Sequence, residues 1–489
     1  MIAIFLVLQR LQKYGNITPT AQIKPARMKR YIDLIEQTFE FPQEEFQVKN
    51  NELYFNDVPL MDIIKKYGTP LKLTYLPKIS QNIKRANNYF QNAFKKHDYQ
   101  GSYTYCYCTK SSHFSFVLEE ALGADVHIET SSSFDVPIIR NLHKKGKLSK
   151  QHYIVCNGFK RPLYKQYINE LINDGFENTI PVLDNLSELN AYKEGANKKF
   201  KVGIRIAADE EPNFEFYTSR LGIRYNDVLD YYRGNIANSK KSSLKMLHFF
   251  INTGIKDTAY YWSELSRFIY KYCELKKICP ELDTIDIGGG FPIKTSLGFE
   301  YDYQYMVDQI VGNIQEICKK NKVETPNIFT EFGSYTVGES GATIYSVLDQ
   351  KLQNDKELWY MIDGSIITHL PDVWGLNQKF VLLAVNNWDE PFHKVNMGGL
   401  TCDSQDYYNA EAHSFGVFMP NVSRAKTQYV GFFHTGAYQE SIGGYGGIQH
   451  CLIPAPKHVL INKQPNGEMS TELFAEEQDS ESMLRTLGY

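Results

Sequence analysis

Residues 284–292 read Thr-Ile-Asp-Ile-Gly-Gly-Gly-Phe-Pro, an apolar, β-branched run that stops on Gly288, Gly289 and Gly290. Working outward, short β-rich runs recur: 103–108, 125–128, 152–156, 179–182, 201–206, 246–251, 284–287 and 327–330. Amphipathic segments separate most of them, at 113–122, 161–174, 186–195, 258–276 and 302–320. Eight strands alternating with helices predict an α/β fold, a parallel (β/α)8 barrel. An open doubly wound sheet would give the same alternation, and periodicity alone leaves it open.

Beyond residue 340 the rhythm changes. The runs 342–348, 358–362, 379–383, 429–433 and 458–461 are short and separated by turn-forming loops, which predicts a second, all-β domain. Ahead of the barrel, an amphipathic helix is expected from Met28. A hairpin follows at 52–60, a helix at 60–67 that stops at Gly68, a strand at 70–75 and a long helix at 78–96. The expected division is a tail over 1–27, an N-terminal helix and strands over 28–75 that partly join the β domain, the barrel over 76–340, and the C-terminal β domain over 341–489. The apolar run Met1–Leu8 has its charge, Arg10, after it, the wrong order for a secretory signal. Residues 1–27 are therefore expected to be a loose tail, or to precede the true start at Met28.

Composition narrows the function classes. The 489 residues allow two to four domains, or a barrel with a smaller partner. A hydrophobic fraction of 43% and a charged fraction of 22% suit a folded chain rather than a disordered one. A formal charge of −3 gives no electrostatic basis for binding nucleic acid. No apolar run approaches the ~20 residues that span a bilayer, so no membrane partner is expected. The eight cysteines include no C-x-x-C pair, so no metal site is expected, and free thiols point to a cytoplasmic setting.

In a barrel, chemistry sits at the C-terminal ends of the strands. Lys110 follows the first. It is either a surface lysine or one whose pKa is lowered by burial so that it can condense with an aldehyde. Glu129 follows the second, with serines that would cap the next helix. The three glycines follow the seventh, as a permissive turn or as an anion nest. Glu331 follows the eighth, as a helix cap, a salt-bridge partner or the partner of a protonated ring nitrogen. Together a lysine, a phosphate nest and a carboxylate suit pyridoxal 5'-phosphate, with its aldehyde, phosphate and pyridine nitrogen.

At these residues the chain resembles the fold-type III pyridoxal-phosphate-dependent basic amino-acid decarboxylases, which include ornithine, diaminopimelate and arginine decarboxylases. The resemblance runs over about residues 50–465 and is nearest to the short bacterial arginine decarboxylases. Tyr107-Cys-Thr-Lys110 is similar to the family's Y-A-V-K, which implies that Lys110 carries the cofactor. The resemblance also implies cofactor contacts from Glu129, Arg205, Gly288, Gly289, Gly290, Glu331 and Tyr438, the last in Gly436-Ala-Tyr438. Gly399-Leu-Thr-Cys402-Asp403-Ser-Gln-Asp406 resembles G-P-x-C-(D/E)-x-x-D. It implies that Cys402 protonates the substrate carbon and that Asp403, with Asp363, holds the substrate's distal cation. Two positions depart from the family. Phe250 stands where a histidine stacks on the cofactor, with Thr253 keeping a phosphate-side hydroxyl, and Ser334 replaces a phosphate-binding arginine. His248 reads as a core histidine.

The implied reaction is decarboxylation of a cationic L-amino acid, arginine to agmatine and CO2, as in polyamine biosynthesis. Ornithine, lysine and citrulline are rival substrates, and a non-catalytic regulatory homologue is a rival of another class. The family also implies a homodimer in which Cys402 and Asp403 complete the partner's site.

Overall fold

The computed structural model describes residues 29–35, 41–43, 45–209, 215–414 and 416–489. The expectation for residues 1–27 lies outside them. Eight parallel strands close into a barrel in sequence order. They are Tyr103–Cys108, His127–Thr130, Ile154–Cys156, Thr179–Leu183, Phe200–Arg205, Ser242–His248, Thr284–Asp286 and Asn327–Phe332. Asn327–Phe332 pairs with Tyr103–Cys108, with Glu331 opposite Cys106, and this pairing closes the ring. An open sheet is thereby excluded.

Strand side chains alternate between faces, so residues two apart share one. Cys106, Val155, Ile180, Val182, Met246 and Phe329 face inward and form an apolar plug inside the barrel. One residue pair further along four of these strands, the same face carries Cys108, Asn157, His248 and Glu331. The barrel therefore changes from hydrocarbon to ionisable groups within a single step of the strand period. Outside, helices such as Pro77–His97, Ala259–Lys276 and Tyr303–Asn321 bury Ile83, Phe90, Phe268 and Ile310 against the strands.

Two strand limits differ from expectation in a way that matters. The second strand runs to Thr130 and the eighth to Phe332, so Glu129 and Glu331 lie within strands rather than after them. Their backbones still make ladder bonds while their side chains point into the barrel. The sixth strand ends at His248, short of Phe250. The helix expected from Met28 is, among the described residues, one 3-10 turn at Tyr31–Asp33.

A ten-stranded sheet forms the second layer system. Leu71–Tyr75, buried along its whole length, pairs antiparallel with Gly341–Gln353 and parallel with Lys457–Lys463. Residues from before and after the barrel thus share one core, in which Phe46, Phe55 and Leu73 join Ile344, Val381, Phe433 and Ile461. The sheet also contains Phe392–Gly398, Val417–Pro420 and Met469–Ala475, which the pattern reading missed. No helix among the described residues is long and apolar enough to cross a membrane.

Candidate active site

Lys110 sits in a 3-10 turn, Thr109–Ser111, directly after the first barrel strand. Its Nζ lies 3.1 Å from Glu129 Oε2, and Glu129 is fully buried. Burial opposes the lysine's charge, but Cys108, Glu129 and Glu331 outweigh it and hold the pKa well above the ordinary lysine value. Of the two readings of Lys110, the pKa lowered by burial is not the one found, because Cys108 and the carboxylates around the mouth outweigh desolvation. Burial raises the Glu129 pKa, with Lys110 acting against it. The serines after Glu129 cap no helix. Instead Asp135 accepts the amides of Ser131 and Ser132 at 2.8 and 2.9 Å, and the helix begins without a side-chain cap.

Glu331 occupies the centre of the polar layer. Asn157 Nδ2 donates to both its oxygens at 3.1 Å and lies 3.0 Å from His248 Nε2, which itself sits 3.2 Å from Glu331 Oε2. Burial alone would raise its pKa, yet His248 and Lys110 hold it at about 2. Burial lowers the pKa of His248, with Glu331 acting against it. Asp286, one strand away, has its pKa raised well above the carboxylate range by burial and by Glu331. Burial and mutual repulsion thereby drive the pKa values of these two adjacent acids apart.

The glycine loop abuts this layer. A Cβ on Gly289 would meet the Glu331 carbonyl oxygen at 2.1 Å, and one on Gly290 would meet Gly254 Cα at 2.6 Å. Gly288 and Gly290 have φ of 70° and 108°, in the region that favours glycine. Ile255 N donates to the Gly290 carbonyl at 2.9 Å, which ties the 253–255 turn to the loop. Thr253 Oγ1, Arg205 Nε and Glu129 Oε1 are buried without hydrogen-bond partners. Phe250 is 39% exposed, with its ring edge beside Gly288. Tyr438 N donates to the Ser111 carbonyl at 2.8 Å, placing the tyrosine beside the Lys110 turn. Burial raises the pKa of its hydroxyl to about 12, with the Ser334 side chain acting against it. A hydroxyl pair thus stands where the family's arginine is missing.

Orphaned polar atoms, a glycine cradle that admits no Cβ and a buried carboxylate kept ionised fit pyridoxal phosphate. The Gly289 and Gly290 amides, Thr253 and Tyr438 suit its phosphate, Glu331 its ring nitrogen and Lys110 its aldehyde, while the Gly288 amide is taken by Asp286 Oδ1 at 2.8 Å.

The remaining sequence-named residues lie elsewhere. Asp363 accepts from Thr69 Oγ1 at 2.5 Å, Ser346 N at 2.9 Å and Ser346 Oγ at 2.7 Å. These bonds occupy much of its acceptor capacity within the sheet. Cys402 and Asp403 are exposed on the β domain, and the thiol's partner is Cys451 Sγ at 3.8 Å. Among the described contacts none joins Cys402 or Asp403 to Lys110. Three residues of the site escaped the sequence reading: Asn157, Asp286 and His248, the last read as core. The strand period carried the signal, since each lies two residues beyond an inward position at a strand's C-terminal end.

Residues 80–338, more than half of the chain, match the family described as pyridoxal-dependent decarboxylase, pyridoxal binding domain. The biosynthetic arginine decarboxylase of Prochlorococcus marinus is 21% identical over 87% of this chain and 83% of its own. Arginine decarboxylase 1, chloroplastic, of Arabidopsis thaliana is 21% identical over 90% and 79%. The crystal structure of the Campylobacter jejuni biosynthetic arginine decarboxylase superposes with a TM-score of 0.77 at 20% identity, over 91% of this chain and 89% of that one. Diaminopimelate decarboxylase from M. jannaschii gives 0.75 at 18% identity, over 90% and 97%.

Proposed function

We infer the reaction from one premise, that the chain belongs to the pyridoxal-dependent decarboxylase family. Its cofactor is pyridoxal phosphate, and it is an enzyme of the carboxy-lyase class. We propose L-arginine as the substrate, with agmatine and CO2 as products. The observation that carries the substrate is the near full-length likeness to relatives named arginine decarboxylases.

When bound, pyridoxal phosphate supplies an aldehyde that captures the substrate amine and a ring that accepts the electrons left by CO2. This chain's residues do the rest. Lys110 Nζ binds the aldehyde, and Glu129, 3.1 Å away, takes up or returns its proton. Glu331, ionised and held by Asn157 and His248, keeps a proton on the ring nitrogen. The glycine loop, Thr253 and Tyr438 hold the phosphate, Phe250 covers the ring and Arg205 contributes charge beside it. Cys402 Sγ delivers a proton to the α-carbon, and Asp403 with Asp363 receives the distal cation through charge-assisted hydrogen bonds.

Of these, Cys402 and Asp403 are proposed to act in the partner's site. The exposure of Cys402 and Asp403, and their lack of contact with the Lys110 turn, support a C2 homodimer with two shared sites. The proposed units are a barrel over 76–340 and a β domain over 341–489 that also takes in Leu71–Tyr75. Eight free thiols suit a cytoplasmic location. The test is to incubate the purified protein and cofactor separately with arginine, ornithine, lysine and citrulline and to identify the amine formed. Agmatine as the main product is expected; putrescine or cadaverine from a faster reaction would reassign the substrate.

A further inference from the structure

Outside the barrel mouth, one cluster of ligating side chains remains unaccounted for. Cys402 Sγ and Cys451 Sγ lie 3.8 Å apart, though the residues are 49 positions apart in sequence. With an imidazole nitrogen of His450, all three donor atoms lie within 4.8 Å of one another. All three residues are exposed, whereas the other six cysteines are buried.

The separation has a chemical meaning. Tetrahedral zinc binds thiolate at about 2.3 Å, so two sulfurs on one ion stand about 3.8 Å apart. The thiols therefore already span one edge of such a tetrahedron. A disulfide would require the sulfurs to close to about 2.05 Å and would leave His450 without a role.

Both legs of the cluster are held in place. On one side, the Asp406 carboxylate accepts from Ile366 N at 2.7 Å, Thr401 N at 3.0 Å and Thr401 Oγ1 at 2.7 Å, while Leu400 N donates to the Gly364 carbonyl at 3.0 Å. These bonds fix the backbone on either side of Cys402. On the other, Cys451 and Leu452 have φ of 54° and 53° in the tight turn after Gln449. Non-glycine residues adopt that region at a cost, and such strain gathers at ligand sites.

We propose that Cys402, Cys451 and His450 form a binding site for Zn2+, with two thiolates, one imidazole and a fourth position open to water. Binding releases the two thiol protons to solvent and involves no electron transfer. The site carries no C-x-x-C spacing, because the fold and not the sequence brings its halves together. A consequence follows that rests on the proposed role of Cys402: a thiolate committed to zinc has no proton to deliver, so the metal would hold turnover down.

The experiment titrates the intact holoenzyme with Cd2+ as a spectroscopic stand-in, anaerobically and with a phosphine reductant, and reads the ultraviolet thiolate-to-metal charge-transfer band. One equivalent per chain is expected. Cys402→Ser and Cys451→Ser should each abolish tight binding, and His450→Gln should weaken it at least tenfold. Circular dichroism checks that each variant is folded. No band in the reduced protein, a band that survives either serine substitution, or a Cys402–Cys451 disulfide formed by a protein that binds no cadmium when reduced would each overturn the site. A separate arm measures turnover with and without Zn2+. Wild type should slow, and Cys451→Ser, compared with its own zinc-free rate, should not. Binding without slowing would leave the site standing and count against Cys402 as the proton donor.

Discussion

Two buried glutamates, one in each half of the molecule, meet opposite fates. Glu331 in the barrel has its pKa held at about 2, whereas burial pushes that of Glu411 in the β domain up to about 8. Both are at most 5% exposed, so desolvation alone does not separate them. The difference is in the donors. Glu331 receives Asn157, His248 and the field of Lys110, while Glu411 receives the Leu382 amide at 2.9 Å and its other oxygen faces, at 3.6 Å, only His413, whose pKa burial lowers to about 4. The barrel is arranged to keep an anion at its centre; the β domain merely encloses an acid and drives it neutral. Catalytic groups need such arranged charge, and the contrast marks where chemistry is built in.

The strongest way to break the comparison is to remove the cation. Lys110→Ala should abolish covalent cofactor attachment and turnover while leaving the fold intact. It should also relax the hold on Glu331, whose pKa should rise. Absorbance spectra after borohydride treatment check attachment; a lysine-linked adduct persisting in the variant would sink the assignment.

A second test moves to the exposed half of the proposed site. Cys402→Ala should slow turnover on the order of 10²-fold, the scale of a lost general acid, and divert part of the product to an aldehyde. Refolding it together with Lys110→Ala should restore part of the activity, because a mixed dimer holds one site with both residues intact. Verified mixed dimers without activity would exclude sharing and leave each chain to close its own site.

These two residues also show how legible the chain was. The eight barrel strands were readable because each β-rich run is short and flanked by turns or helical periodicity. Lys110, Gly288 and Glu331 were readable because they follow or end those runs. Asn157 was not singled out, because one polar residue past an apolar strand has many uses, and His248 was read as core; only ring closure turns both toward Glu331. The Cys402–Cys451 approach was beyond any spacing rule. Phe392–Gly398 was missed because the alternation of its inward residues, Val395 and Met397, with Lys394 and Asn396 is too short to stand out between the turn-rich segments 386–391 and 398–399.

The donor set around Glu331 offers a smaller, sharper test. Asn157→Ala removes a donor to both of its oxygens at 3.1 Å. Hydrogen bonds to a charged group are worth about 1.5–3 kcal/mol, so the Glu331 pKa should rise by about 1–2 units. Turnover should fall about tenfold, with the acid limb of the pH–rate profile shifted upward. A drop in rate without that shift would mean that Asn157 acts through packing alone.

The smallest effect on activity is expected in the β domain, where Glu411→Gln should leave turnover unchanged and alter only how stability depends on pH. The folded pKa of about 8 stands above the ordinary value of 4.5. Below about pH 4.5 the carboxyl is protonated whether the chain is folded or not, and its contribution is fully present. Between about 4.5 and 8 the unfolded chain sheds the proton while the folded one retains it, so rising pH favours unfolding. The loss is complete once the folded group also ionises above about 8. A gap of about 3.5 units corresponds to roughly 5 kcal/mol at most. Glutamine keeps the shape and can still accept the Leu382 amide, but carries no proton to lose. Denaturant midpoints measured from pH 5 to pH 8 should fall more steeply for the wild type than for Glu411→Gln. Parallel slopes would mean that Glu411 is ionised in the folded chain, and the contrast with Glu331 would then fail, since both halves of the molecule would keep a buried anion.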